Sequence, residues 1–268
     1  MSLRKPIFAL VACALTSASV ACTEPPKAAT PGALQYTETA RRGYEEAMVP
    51  FKDRDWLLAS GLMREVKRRF SFSDYAPLAQ LRMGDIEYAQ EKWLEATVAY
   101  KTFVRENPKH HEVAYARMRM ARCSYNQISD AFLLPSQAER DQASVVQAAG
   151  EIKAYLDEFA DGPERPQMKE LAADVLARLV AHELYVARFY VGRDKFEAAL
   201  ARVDYALAKY VGSRNYVEAL ITRGEILLLL KRRDDAKATF ERVVKEFAAD
   251  PRVGQAQRYL DNLKRVGS

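Results

Sequence analysis

The chain has 268 residues, 49% of them apolar and 29% charged, with a formal net charge of +5. That composition belongs to a folded body and excludes a disordered tail or a multi-span membrane protein. Eleven Gly and eleven Pro are few for the turns of an all-β fold, and three His with three widely spaced Cys offer little to metal or triad chemistry.

The first residues read as an address. Arg4 and Lys5 form a positive segment, and Ile7 to Val20 an apolar one of signal-peptide length. That stretch falls short of the roughly 20 apolar residues of a spanning helix. Ser19-Val20-Ala21-Cys22 resembles the lipobox of bacterial lipoproteins, whose Cys becomes the new N-terminus and carries acyl chains such as palmitate. Leu10-Val11-Ala12-Cys13 fits the motif too, but cleavage there leaves an apolar segment of only about six residues. Cys22 is therefore the expected lipidation site, with a plain secretory signal as the alternative. Thr23 in place of Asp after the Cys favours the outer membrane. Without residues 1–21 the balance is 39 basic against 36 acidic, or +3, too mild for a nucleic-acid binder. Residues 22–33, with Pro25, Pro26 and Pro31, read as an extended tether, and residues 34–268 as one folded domain. Cys123, the only thiol in that domain, is expected to be a buried small hydrophobe.

From Leu34 onward the pattern is helix, short break, helix. Two windows carry the same marks: Gly84, Ala96, Tyr100 and Pro108 in one, Gly224, Ala236 and Phe240 in the other. Counted from residues 77 and 217, these occupy positions 8, 20, 24 and, in the first window, 32, the spacing of the 34-residue tetratricopeptide repeat (TPR). Position 8 must be small where two helices cross, and Ala at position 20 is expected to meet it. The aromatic at 24 fills the space between repeats, and Pro108 ends the helix. Ala59, Met63 and Val66 suit the second helix of a first repeat, after a helix from about Leu34 to Pro50. Ala148, Ile152 and Tyr155 suit a third repeat, whose first helix runs from about Glu112 to Gln127, with Ile128 to Arg140 as an insertion. Ala199, Val203 and Ala206 suit a fourth, after a helix from about Gln167 to Tyr190, and Val253 to Val266 reads as a cap. The expected fold is all-α: a TPR superhelix of about five repeats with a C-terminal capping helix. Such arrays bind protein segments on a concave face lined by first helices.

The lipobox, the Pro-containing tether and about five TPRs, in that order, resemble the BamD family of outer-membrane assembly lipoproteins. Further likeness lies in Asn107-Pro108-Lys109-His110-His111, in Arg140-Asp141-Gln142 before the Ala148, Ala149 helix, in Leu184 to Tyr190 with its paired aromatics, and in Phe196 to Arg202 with paired Ala followed by Arg. The resemblance implies a non-catalytic scaffold, anchored in the outer membrane by lipid and facing the periplasm, that helps to insert β-barrel proteins. Its C-terminal repeats would hold the POTRA region of the central barrel protein, and its N-terminal repeats would receive segments of unfolded outer-membrane proteins. Other lipoproteins of the assembly machinery would be further partners, and no cofactor or metal is expected. The motif Arg is Arg202, suited to a partner carboxylate by its planar fork, with a solvated helix Arg as the alternative. TPR geometry turns Leu81, Asp85 and Tyr88 toward the concave face as a substrate groove, although Leu81 and Tyr88 also suit an ordinary core.

His111-Glu112 and His182-Glu183 begin like His-Glu-x-x-His but end in Tyr115 and Val186, so neither places two His one turn apart. Gly-rich phosphate loops and Gly-x-Ser-x-Gly are absent from the sequence. Arg64, Lys67 and Arg68 share a helix face that suits either solvent or anionic headgroups, and Lys231 to Asp235 reads as a solvated turn. A TPR lipoprotein of another envelope system, a secretin pilotin or a cell-wall coordination factor, is the alternative function.

Overall fold

The computed structural model describes residues 31–128 and 135–267. The lipidation residues Cys22 and Cys13, most of the tether and residues 129–134 of the insertion lie outside the described residues. Among the described residues there are eleven helices and no strand: α1 (Pro31–Lys52), α2 (Trp56–Arg69), α3 (Tyr75–Ala89), α4 (Trp93–Glu106), α5 (Val113–Asn126), α6 (Ala143–Glu158), α7 (Arg165–Val191), α8 (Phe196–Lys209), α9 (Tyr216–Leu229), α10 (Arg233–Glu246) and α11 (Val253–Gly267). Each helix packs on the next, which gives five antiparallel pairs and the terminal helix α11. First helices also touch first helices (α1 with α3, α5 with α7, α7 with α9), so the odd-numbered helices lie inside the curve of a TPR superhelix.

The second helices show why this sequence stacks. Each buries three positions at spacing i, i+4, i+7, the apolar stripe of a helix packed on one side. These are Ala59, Met63, Val66; Ala96, Tyr100, Phe103; Ala148, Ile152, Tyr155; Ala199, Val203, Ala206; and Ala236, Phe240, Val243. The aromatic makes the nearest contact with the small residue of the first helix. A Cβ placed on Gly84 would lie 2.8 Å from the Tyr100 ring, and one on Gly224 would come closer still to Phe240. A flat ring lies across the bare Gly backbone, nearer to it than any other side chain, and Ala96 and Ala236 are fully buried one turn before each ring.

Four of the five intra-repeat turns share one construction. Arg54, Glu91, Asp194 and Lys231 sit at φ of 61°, 60°, 56° and 62°. The next residue's N–H reaches back to the last turn of the first helix: Asp55 to Pro50 at 2.9 Å, Lys92 to Glu87 at 3.0 Å, Lys195 to Tyr190 at 3.0 Å and Arg232 to Leu227 at 2.9 Å. This is the Schellman closure of a helix end. The segment read as a turn from Lys231 to Asp235 is accordingly only two residues long, since Arg233, Asp234 and Asp235 already belong to α10 and place acidic charge in its first turn.

The third repeat departs from this frame. Residues 135–142 lie along α7, where the Ala138 carbonyl is 2.7 Å from His182 Nδ1 and Gln137 bonds Arg178. Helix α7 runs for 27 residues where its neighbours run for 14 to 16, and it opens with Pro166 at its N-terminus. Cys123 is fully buried, and burial pushes its thiol up to about 11, so it packs as a small hydrophobe.

Gly224→Ala is expected to lower unfolding free energy by about 1–2 kcal/mol, overpacking of about 1–3 kcal/mol outweighing the helix gain of up to about 1. Gly150→Ala meets no atom within 4 Å and is expected to stabilise by a few tenths of a kcal/mol or more. Urea unfolding of both variants checks the pair; a stabilised Gly224→Ala contradicts it.

Candidate functional site

The concave face of the second repeat is built around one carboxylate. Asp85 projects from α3, almost fully buried. Tyr100 from α4 donates its hydroxyl to Asp85 Oδ1 at 2.7 Å, and Tyr115 from α5 donates to the same oxygen at 2.8 Å. Arg82, one turn before Asp85, reaches Oδ2 at 2.5 Å, and its Nε donates to the Tyr44 hydroxyl of α1 at 3.3 Å. Arg119, one turn after Tyr115, donates to the Tyr115 hydroxyl at 2.7 Å and lies 3.7 Å from Asp85 Oδ1. Side chains from α1, α3, α4 and α5 thus converge on one point.

This network floors a cleft of about 450 Å³ walled by Phe51, Trp56 and Tyr88. Arg119 lies 4.2 Å over the Tyr88 ring, and Tyr88 meets Trp93 edge-on at 5.0 Å. Tyr88 also walls a second hollow of about 440 Å³ with Arg122, Tyr125, Pro166 and Leu171. The two hollows therefore share one wall along the inside of the superhelix, from the first repeat to the fourth.

Two guanidiniums against one carboxylate leave the cleft cationic. Burial opposes the charge on Arg82, but Tyr44 and Asp85 outweigh it and hold the proton more tightly than usual. Arg119 is likewise held charged against its burial by Tyr115, Tyr100 and Asp85. Burial, then the Asp85 charge, pushes the Tyr115 hydroxyl up to about 12 and that of Tyr100 higher. These groups are fixed in one protonation state at neutral pH, so the arrangement suits recognition of a polar or anionic end beside an aromatic wall better than proton transfer.

The expected site residues separate. Leu81 is 0% exposed, packed beside Ala96, Tyr100 and Phe103, and so backs the cleft instead of lining it. Its side chain falls on the α3–α4 seam, which is its own repeat's core. Asp85 lies in the cleft floor, already saturated by four partners, and acts by positioning them. Tyr88 lines both hollows. Arg82, Tyr115 and Arg119 escaped the sequence reading; the i, i+3 spacing of Arg82 with Asp85 and the i, i+4 spacing of Tyr115 with Arg119 are the signals that place them on shared helix faces. Arg202, half-exposed on α8, is not a free cation: its Nη1 lies 3.3 Å from Glu183 Oε2 of α7, a nearly buried carboxylate. Nearby on α7, Phe189 stays half-exposed with Arg193 3.5 Å over its ring. His110 and His111 stack at 4.2 Å, and among the described residues no group of three His, Cys, Asp or Glu is placed to hold a metal ion.

Asp85→Ala leaves two guanidiniums without their carboxylate and is expected to cost about 3 kcal/mol in urea unfolding. The Tyr115 hydroxyl supplies a pH signature. Its folded pKa of about 12 exceeds the unfolded value of about 10, so its contribution is complete below pH 10 and is lost as pH rises toward 12. Between pH 9 and 11 the wild type should therefore lose more stability than Tyr115→Phe; equal losses contradict the network.

Comparison with known proteins gives the family. The profile of the YfiO family, described as outer membrane lipoproteins, matches residues 37–256. Three relatives bear the name outer membrane protein assembly factor BamD. That of Pasteurella multocida is 25% identical over 66% of this chain and 69% of its own. That of Xylella fastidiosa is 22% identical over 68% and 63%, and that of Neisseria meningitidis serogroup A is 27% identical over 66% and 67%. The chain thus spans about two thirds of the length of these curated relatives. Among solved structures, the TPR2AB-domain:pHSP90-complex of yeast Sti1 aligns over 85% of this chain and 99% of its own at a TM-score of 0.36 and 11% identity. With the profile covering α2 to α10 entirely, the chain belongs to the YfiO family of outer membrane lipoproteins.

Proposed function

We propose that this protein is a non-enzymatic scaffold of the machinery that assembles outer-membrane β-barrel proteins, held at the inner face of the outer membrane by acyl chains on Cys22. The observation that carries the reading is the match of almost the whole repeat array to a family whose curated relatives are named assembly factors. Two surfaces divide the work. The cationic, aromatic-walled cleft around Tyr88 and Arg119 receives an extended segment of an unfolded barrel protein, with an aromatic side chain against Tyr88 and a carboxylate toward Arg119. This suits chains that must be held without being folded: a curved groove between rigid helices offers side-chain pockets but no free strand edge on which a β-segment would nucleate.

The C-terminal repeats dock the POTRA region of the central barrel protein, and the assembly lipoproteins bind around the same array. Arg202 can take a partner carboxylate while keeping Glu183, because the guanidinium fork has donors beyond the single nitrogen nearest Glu183. Phe189 and Tyr185, both partly exposed on α7, supply apolar area beside it. No helix among the described residues is long and apolar enough to cross a membrane, so membrane attachment is assigned to the lipid.

A crosslink-stabilised pull-down of the tagged, membrane-anchored chain, wild type beside Arg202→Glu, tests this. The expected result is a POTRA-bearing barrel protein dominant in the wild-type sample and depleted about tenfold in the variant, as loss of an interfacial ion pair of roughly 1.4 kcal/mol or more implies. A wild-type sample dominated by a secretin or by cell-wall enzymes, with no POTRA protein, contradicts it.

A further inference from the structure

We propose that the outer face of α2 is a second membrane contact, which rests on anionic phospholipid of the bilayer that anchors the chain. The proposal depends on the Cys22 anchor proposed above. Phe72, three residues past the last residue of α2, is 96% exposed, and Leu57, at the start of α2, is 84% exposed. Between them Gly61, Arg64 and Arg68 follow at i+4, i+7 and i+11 from Leu57, one stripe of the helix about 16 Å long. Apolar side chains at both ends of a basic stripe can enter the acyl boundary while the two guanidiniums between them meet headgroups.

The charges on this stripe are available. Arg64 donates only to the Ser60 carbonyl of its own helix, and Arg68 has no ion-pair partner among the described residues. The adjacent carboxylates are already engaged: Asp55 accepts from the Leu58 N–H at 3.1 Å, and Glu65 pairs with Arg69 at 3.0 Å. Lys67, turned off the stripe, pairs with Glu106 at 3.5 Å. An isolated surface Arg with its carboxylate neighbours bound elsewhere is complementary to a phosphate headgroup.

Chain length brings the bilayer to this face. Near the start of α1, Tyr36 lies against the end of α2, its ring 5.5 Å from Phe70 and its hydroxyl 3.4 Å from the Arg69 carbonyl. The stretch from Cys22 to Pro31 reaches at most about 30 Å even when extended. With the helical span from Pro31 to Tyr36 added, the acyl-bearing residue stays within roughly 40 Å of the end of α2, so the bilayer is within reach of this face and docking is an intramolecular step.

The test uses the full lipidated chain reconstituted into vesicles of phosphatidylcholine alone or with phosphatidylglycerol, some lipids carrying brominated acyl chains. Phe72→Trp and, as an exposed control on α4, Leu94→Trp each add one indole to Trp56 and Trp93. The expected result is bromolipid quenching at position 72 in phosphatidylglycerol vesicles, little at position 94, and about a fivefold fall in the docked population for each of Arg64→Gln and Arg68→Gln. Equal quenching at both positions, or equal quenching at position 72 in the two kinds of vesicle, overturns the contact. Flotation of wild type beside Cys22→Ser separates the readings. Cys22-dependent flotation without quenching at position 72 leaves the anchor standing and removes the contact. A wild-type chain that does not float removes both.

Discussion

One contact sets the geometry of the second and fifth repeats: an aromatic ring of the second helix lying on a bare glycine of the first. Tyr100 on Gly84 and Phe240 on Gly224 bring two helix backbones closer than any side chain at the glycine allows. The approach costs helix propensity at the glycine, about 1 kcal/mol against Ala, and fully buries a ring. Phe240 then stacks on Tyr259 of α11 at 4.7 Å, so the contact that closes the last repeat also seats the terminal helix. Because each repeat buries its apolar face only against its neighbours, an error in one closure passes directly to the next.

In the second repeat this packing contact is also the base of the binding surface. The ring of Tyr100 fills the gap over Gly84, and its hydroxyl, on the far side, holds Asp85 at 2.7 Å. Asp85 in turn fixes Tyr115 and draws in Arg82 and Arg119. The fifth repeat carries Phe240 at the equivalent position, which has no hydroxyl to offer, and its first helix has Glu225 where the second repeat has Asp85. Glu225 turns to Tyr259 of the terminal helix instead, at 2.8 Å. The Tyr hydroxyl at this packing position thus ties the second repeat's core to its concave carboxylate, whereas the fifth repeat, with Phe, turns its carboxylate to the terminal helix.

Much of this was legible in the sequence because the periodicity and packing are local. Ala59, Met63 and Val66, and their counterparts in four further helices, announce the buried stripe by spacing alone, and Gly84 and Gly224 mark the close approaches. What was hidden lies between repeats. Tyr115 finds Asp85 across 30 residues, and Tyr125 of α5 finds Asp174 of α7 across 49; such pairings depend on how repeats rotate on one another, which no single-helix pattern encodes. Leu81 was ambiguous for a related reason. An apolar residue on a first helix faces either the concave surface or its own partner helix, and about a third of a helical turn decides between them. The insertion was visible as an excess of residues, but its last part lies along α7 through Gln137 and Ala138, backbone and amide contacts that composition does not signal.

The claim that packing and recognition meet at Asp85 is tested most directly by a double-mutant cycle between Tyr100→Phe and Tyr115→Phe, read by urea unfolding. Each variant keeps its ring and removes one hydroxyl from the same carboxylate oxygen. If that carboxylate couples core to cleft, the two losses are non-additive by about 0.5 kcal/mol or more, because removal of one donor changes what the other is worth. Losses that add to within about 0.3 kcal/mol contradict it, and would make the cleft an independent decoration on a finished fold.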